Sequence, residues 1–434
     1  MHAIFSEFCL MYFSASTFFK TGTSLIQLKT LQQRLLNYSF FNFFLVSALG
    51  LLMRGVPLLN SFPLPFKNLL HAHSHFAFGG WVMPVLIWMI IQYFPSIAPK
   101  VGATHWRNII FLVLFSAYGM LASFPFEGYA LVSILFSTLS VLAGFYLATV
   151  LWKASNDEKQ KTSVRFLRAG LVYLVLSSIG PFATGPLIAM GMQGNPVYFN
   201  AIYFYLHFQY NGWFTFAVLA VLYTMLEKNA IAENGRKVFM LFNISCLPAF
   251  FLSTLWNHPN GIFYIAGASA GLLQLAGTFY LIKDYRLLKI KNSFVKNILV
   301  IAIIAFAMKN ILQSLSAVPF IAEMAYNSRN FIIAYLHLVL LGFISLFAIA
   351  AVLNANKDLV NTSFKMFFSI FLISFIVTEA LLAVQATGIV YNFYLPSFSL
   401  IIFYASCLFP IAIFCMYWKT HFCYKKLKKI TAKL

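Results

Sequence analysis

The chain has 434 residues, 61% hydrophobic and 9% charged. A soluble domain carries about 25% charged residues, so a water-facing globular fold is excluded and an integral membrane protein, in contact with a lipid bilayer, is expected. The formal net charge of +20 would in another setting suggest nucleic acid. In a membrane protein it follows from basic loops gathered on one side, and no nucleic-acid partner is expected.

Apolar runs of about 20 residues, the length that crosses a bilayer as helix, predict helices near 37–57, 72–94, 107–126, 130–152, 167–191, 200–226, 237–256, 261–283, 296–317, 331–354, 364–387 and 395–418. The expected fold is all-α, a polytopic bundle of about 12 transmembrane helices spanning 37–420. An N-terminal segment, 1–36, precedes it and a basic tail, 421–434, follows it. Residues 1–19 are apolar enough to resemble a short signal region, with no A-x-A-like cleavage site after them. An even number of crossings puts both termini on one side. Nearly all Lys and Arg fall on that side, including Lys153, Lys159, Lys161, Arg165 and Arg168, whereas Arg54, Lys67 and Arg329 fall on the other and Lys309 lies inside a span. The positive-inside rule then predicts that both termini are cytoplasmic, in a multi-pass protein of the inner or plasma membrane of the cell. The KKLKK run at 425–429 is expected to anchor at the membrane surface. The five cysteines form no CxxC and suggest neither a disulfide framework nor a thiolate metal site.

Nine histidines remain to be placed. His2, His105 and His421 fall in terminal or cytoplasmic segments and are expected to be solvated. The other six share one depth near the outer face: His71, His73 and His75 in the first turns of the second helix, His207 in the sixth, His337 in the tenth and His258 at the end of the seventh. A lone membrane histidine is more often a hydrogen-bonded interior residue. Six at one level, in a chain with only 10 carboxylates, need partners for their ring nitrogens, and a metal is the natural shared one. His71 and His75, four apart, share a helix face; His73 lies about 200° from His71. All three therefore cannot bind one ion.

These residues resemble the heme-copper oxidase subunit I superfamily, which includes the nitric oxide reductases: twelve-helix bundles with a low-spin heme held by histidines of helices two and ten. A high-spin heme is held by another helix-ten histidine, and copper or iron by histidines of helices six and seven. In the oxidase branch the second helix has a histidine eleven residues before a Met-Pro pair, and His73 stands at that spacing from Met83 and Pro84. The His-x-His of helix ten is matched at its second position by His337 in YLHLVLLG, 335–342. The reductase-like HLWVEGVW of helix six is similar to HFQYNGWF, 207–214, with His207 kept and Asn211 at the acidic position. The His-His pair of helix seven is matched once, by His258 in WNHPN, 256–260. The resemblance implies a low-spin, bis-histidine heme on His73 and His337, with copper or non-heme iron on His207 and His258. It also implies electrons taken from a cytochrome or quinol, other respiratory subunits as partners, and, if the chain is an enzyme, dioxygen or nitric oxide as acceptor. Tyr335 replaces the high-spin heme histidine, which leaves a second heme without its usual ligand, and one helix-seven histidine is missing. Tyr210, three residues after His207, echoes the redox tyrosine of some oxidases.

His71 and His75 are left to a cofactor-binding or supporting role. Glu379 and Lys309, charged within apolar runs, are candidates for a proton relay, or else for packing against amides such as Gln313 or Gln385. Arg54 and Arg329, with Lys67 and Glu323 near the same outer ends, are placed for heme propionates or for snorkelling. The HAH at 71–73 also resembles the HAHE motif of the NnrS family, heme- and copper-containing membrane proteins of nitric oxide stress, with Ser74 in place of the acid. A twelve-helix secondary transporter is the alternative of another class, although neither an internal repeat nor a carboxylate cluster supports it.

Overall fold

A computed structural model describes residues 24–431 except 60, 229–232, 392 and 394–396, and at 24–26, 389–390 and 422–431 the backbone alone. The signal-like stretch 1–19 and the side chains of the KKLKK tail lie outside the described residues. Among those described there is no strand, as expected for a chain whose backbone groups must be satisfied inside lipid. Twelve long helices follow one another: α1 (Ser24–Gly55), α2 (Phe66–Tyr93), α3 (Ala103–Glu127), α4 (Leu131–Ala154), α5 (Thr162–Ala189), α6 (196–227), α7 (Gly235–Asn257), α8 (Gly261–Arg286), α9 (Ser293–Leu315), α10 (Arg329–Ala355), α11 (Thr362–Val390) and α12 (Phe398–Thr431). Short helices, Ala98–Val101 and Pro319–Asn327, ride in the connections. The protein is an all-α, multi-pass bundle.

Eleven of these helices are long and apolar enough to cross a membrane. The exception is α6, whose middle reads His207, Gln209, Tyr210, Asn211. It tolerates these polar groups because it does not face lipid: from His207 to Val221 every residue is buried. The first helix begins well before residue 37, because its amphipathic start, with Leu28, Leu31, Leu35 and Leu36 all buried, packs against the bundle.

The helices close into a ring. Each packs on its chain neighbour, and α12 returns to lie along α1. Within the ring, α2, α6 and α10 meet one another. The apolar windows of α2 and α10 are 83% and 78% buried, against 28–56% for the other nine spans that qualify as crossing. Small residues let the helices approach. A methyl group on Gly180 of α5 would run into the Ala201 carbonyl oxygen and Tyr205 of α6, the close backbone approach on which membrane helices rely.

All three central helices change winding in mid-span. Ala77–Val82 of α2, Phe208–Phe214 of α6 and Leu338–Ser345 of α10 are π-helical. Such stretches are rare and gather at functional sites. They disturb the hydrogen-bond ladder, and side chains reach in to steady it. Asn42 Nδ2 donates to the Gly80 carbonyl at 2.7 Å, Thr215 Oγ1 to Tyr210 O at 2.7 Å and Ser345 Oγ to Leu340 O at 2.7 Å. Trp81 ties two of them together: its Nε1 donates to Ser345 Oγ at 2.8 Å while its ring stacks on Phe43, centroids 4.2 Å apart.

Candidate functional site: histidines of the central helices

Each π stretch follows closely on a histidine. In α6 and α10 it begins at the next residue after His207 and His337, and in α2 two residues after His75. The winding also divides tight packing from loose. On the far side of the π turns, Leu346–Leu353 of α10 and nearly all of Met83–Tyr93 of α2 are buried. On the histidine side none of Arg329–His337 is buried, and of Pro196–His207 only His207 is. The first halves of α6 and α10 are thus less closely covered than the second, while α2 buries Leu69, Ala72 and Phe76 beside its histidines.

His73 and His337 both lie on this side of the π turns, within electrostatic reach of each other. His73 Nδ1–H donates to the Val46 carbonyl of α1 at 3.1 Å, which fixes the tautomer and leaves Nε2 as a lone pair. Its ring leans on α1 at Gly50, where a Cβ would stand 3.2 Å from His73 Cε1; the glycine makes room for the imidazole. His337 Nδ1–H donates to Glu379 Oε1 of α11 at 3.0 Å, which turns Nε2 away from the carboxylate. Among the described residues neither Nε2 has a hydrogen-bond partner. His73 lies within electrostatic reach of both His337 and Arg54, and Arg54 within reach of Glu379. His337 retains 30% side-chain exposure and Glu379 18%.

His71 and His75 face elsewhere, as their spacing requires. His75 Nε2 hydrogen-bonds the Tyr129 hydroxyl at 2.7 Å and its ring stacks on Phe124 at 4.5 Å. His71 meets the Tyr129 ring edge-on at 4.6 Å, and its Nε2 is buried without a hydrogen-bond partner. Tyr129, in the turn between α3 and α4, is 55% exposed and presents its hydroxyl to His75. Arg329 is exposed at the start of α10, in reach of His71, as is Lys67.

His207 is wholly buried and both ring nitrogens are engaged: Nε2–H donates to Cys246 O at 2.8 Å, and Nδ1 accepts from Asn211 Nδ2 at 3.1 Å. No lone pair is left for a metal. His258 ends α7 in a left-handed conformation, φ 45°, exposed, beside a cleft it shares with Trp256, Tyr264, Glu323 and Tyr326. The geometry does not assemble His207 and His258 into a ligand set. Among the described residues no group of three or more His, Cys, Asp or Glu is arranged to hold a metal ion. As placed, His207 has no ring nitrogen free for copper or non-heme iron, and no chemistry is derived through such an ion.

The remaining candidates have local partners. Lys309 is buried and donates to Asn310 Oδ1 at 3.0 Å, and Asn310 Nδ2 in turn donates to Thr278 Oγ1 at 2.9 Å. The amide is thus its neighbour in sequence rather than Gln313, which accepts from Tyr335 at 3.2 Å. Glu379 pairs with an imidazole, not with Gln385. Tyr210 is buried with its ring 6.3 Å from that of Tyr335.

Two features were missed in the sequence. The Glu379–His337 pair joins residues 42 apart, and no local spacing reveals it. The π stretches were missed as well, because an apolar run reads alike at either winding. Compared with known protein families and with curated proteins, the chain matches none.

Proposed function

We propose that this membrane protein binds one low-spin heme between α2 and α10, with His73 and His337 as its axial ligands, and serves in electron transfer. The reading treats the chain as a divergent relative of the heme-copper oxidase subunit I superfamily that has kept one of its sites. One observation carries it: two imidazoles from central helices, each anchored through Nδ1 and each with Nε2 without a hydrogen-bond partner, lie within electrostatic reach of each other. Anchoring by a carbonyl or carboxylate is how ligating histidines are held and their basicity raised. A bound heme supplies a one-electron iron couple.

The chain's own residues supply the rest. Val46 O and Glu379 hold the two rings in the ligating tautomer. Arg54, near both Glu379 and His73, places positive charge where propionates or the carboxylate need balance. Arg329, exposed at the mouth of α10, extends that charge outward. The buried inner halves of α2, α6 and α10 close the site from the opposite face. The electron donor is a quinol or a cytochrome, and the membrane is the cell membrane. Because His207 offers no free nitrogen, the reading is of electron transfer through one center, with any turnover of dioxygen or nitric oxide needing ligands that the described residues do not assemble.

The test is the reduced-minus-oxidised absorption spectrum of protein purified from cells supplied with heme, with iron quantified in the same sample. Sharp low-spin bands and one iron per chain are expected. His73→Ala and His337→Ala should each abolish the bands while circular dichroism stays helical. A folded, colourless wild-type protein overturns the proposal and returns weight to the transporter reading.

A further inference from the structure

A second site is suggested at the opposite end of the bundle, independent of the heme reading. Along α9, Lys296, Val300, Ile303, Ile304, Ala307, Met308 and Ile311 line a groove of ≈ 620 Å³. Their spacing keeps them on one helix face, and the run from 296 to 311 covers about 22 Å at 1.5 Å per residue. That is long enough to follow a lipid chain through one leaflet, whose hydrocarbon is about 15 Å deep. Ile304, Met308 and Ile311 are 58%, 46% and 48% exposed, so the groove opens outward from the bundle.

Its other end is cationic. Arg286, closing α8, and Lys296, in the first turn of α9, both line it and both are exposed. Neither has an ion-pair or hydrogen-bond partner among the described residues. The connection between them adds Lys289 and Lys291, and residues 285–296 contain no acid. The nearest carboxylate, Asp284, is turned inward: wholly buried, it accepts from Tyr223 Oη at 2.9 Å and from Asn234 N and Nδ2 at 3.1 and 2.8 Å. It does not neutralise the pair. Lys283 is also drawn off, lying 4.4 Å from the ring centroid of Phe279.

We infer that the groove on α9 holds an anionic phospholipid, one acyl chain along Val300–Ile311 and the phosphate between Arg286 and Lys296. An apolar channel the depth of a leaflet, with two unpaired cations at its interfacial end, matches that molecule in both shape and charge. Basic pockets at helix ends are where membrane proteins select acidic headgroups. A zwitterionic lipid fills the channel equally well but brings no net charge to the cations.

The test is native mass spectrometry of the full chain in detergent, titrated with phosphatidylglycerol, with phosphatidylcholine of identical chains, and with glycerol 3-phosphate. Phosphatidylglycerol is expected to bind roughly tenfold more tightly than phosphatidylcholine, and free glycerol 3-phosphate not to bind measurably. The pair Arg286→Gln and Lys296→Gln should erase the preference. Lys289→Gln with Lys291→Gln, removing equal charge from the same connection, should keep it. Ala307→Phe, which fills the channel, should weaken both lipids. Arg286, Lys289, Lys291 and Lys296 are exposed and Ala307 is half-buried, and circular dichroism reports the folding of every variant. Equal binding of the two lipids by the wild type, or loss of preference in the Lys289 and Lys291 pair as well, would overturn the assignment in favour of diffuse attraction.

Discussion

At the scale of single residues, the site depends on how two rings are held. Glu379 does not touch the proposed iron; it acts through His337, orienting the ring and raising its basicity. Removing such a support lowers metal affinity by about 10- to 100-fold. Glu379→Ala is therefore expected to retain a folded bundle yet lose heme on dilution or on challenge with apomyoglobin, measured as the rate of band decay. Glu379→Gln, which still accepts the Nδ1 proton, should fall between it and wild type. If Glu379→Ala kept its heme as firmly as wild type, the carboxylate would be only a packing partner. Gly50 offers a steric counterpart. A side chain there meets His73 Cε1 at 3.2 Å from its first carbon, so Gly50→Val should turn the ring and remove the low-spin bands. Gly50→Ala, needing a shift of only a few tenths of an ångström, should broaden them. The pairing of His71 with His75, and the divergence of His73, could be read from the sequence because helical angles fix them. The companions Val46 and Glu379 could not, since they come from other helices.

At the scale of elements, the π stretches organise the centre. Ser345 makes two bonds at once, donating to Leu340 O and accepting from Trp81, so it joins the irregular turns of α2 and α10. Buried hydrogen bonds between membrane helices contribute about 0.6 kcal/mol on average and up to about 1.7. Ser345→Ala removes two and is expected to cost about 1–2 kcal/mol, read as a lower midpoint in denaturation by sodium dodecyl sulfate. Trp81→Phe leaves the serine free to serve Leu340 O and should cost about half as much. If Ser345→Ala were neutral, the π turn would be held by packing alone. Gly180→Leu is a contrasting case: it separates α5 from α6 by backbone collision, and overpacking of that kind costs about 1–3 kcal/mol, without altering the His73 and His337 bands. Hydropathy marked every one of these helices, since a run of apolar residues needs no partner to be recognised. It was silent on which three stand at the centre, because burial by protein and burial by lipid demand the same side chains. The polar middle of α6 was the one local hint, as Gln209 and Asn211 suit a protein interior and not lipid.

At the scale of the whole molecule, the ring closes by pairing α1 with α12, so the chain's two ends leave the bundle together. Eleven helices are long and apolar enough to cross; if α6 crosses as well, both ends lie on one side, and the distribution of charge predicts which. Lys and Arg crowd the ends that carry the α4–α5 and α8–α9 connections, while the histidine end keeps Arg54, Lys67 and Arg329. Cationic loops resist translocation, so both termini and the Arg286–Lys296 groove should lie on the cytoplasmic face, and the histidine end of α2, α6 and α10 on the outer one. Reporter fusions test this directly. A fluorescent protein that matures only in the cytoplasm should glow when joined after residue 434 and when inserted at 157–160. Alkaline phosphatase, active only outside, should be active when fused after residues 63 or 193 and inactive after 290. The opposite pattern would place the histidines toward the cytoplasm and turn the lipid groove to the outer leaflet. Phosphatase activity after residue 290 and a dark reporter after 434, with 157–160 still fluorescent, would mean that α6, with its polar middle, fails to cross, leaving eleven traverses and the termini on opposite sides.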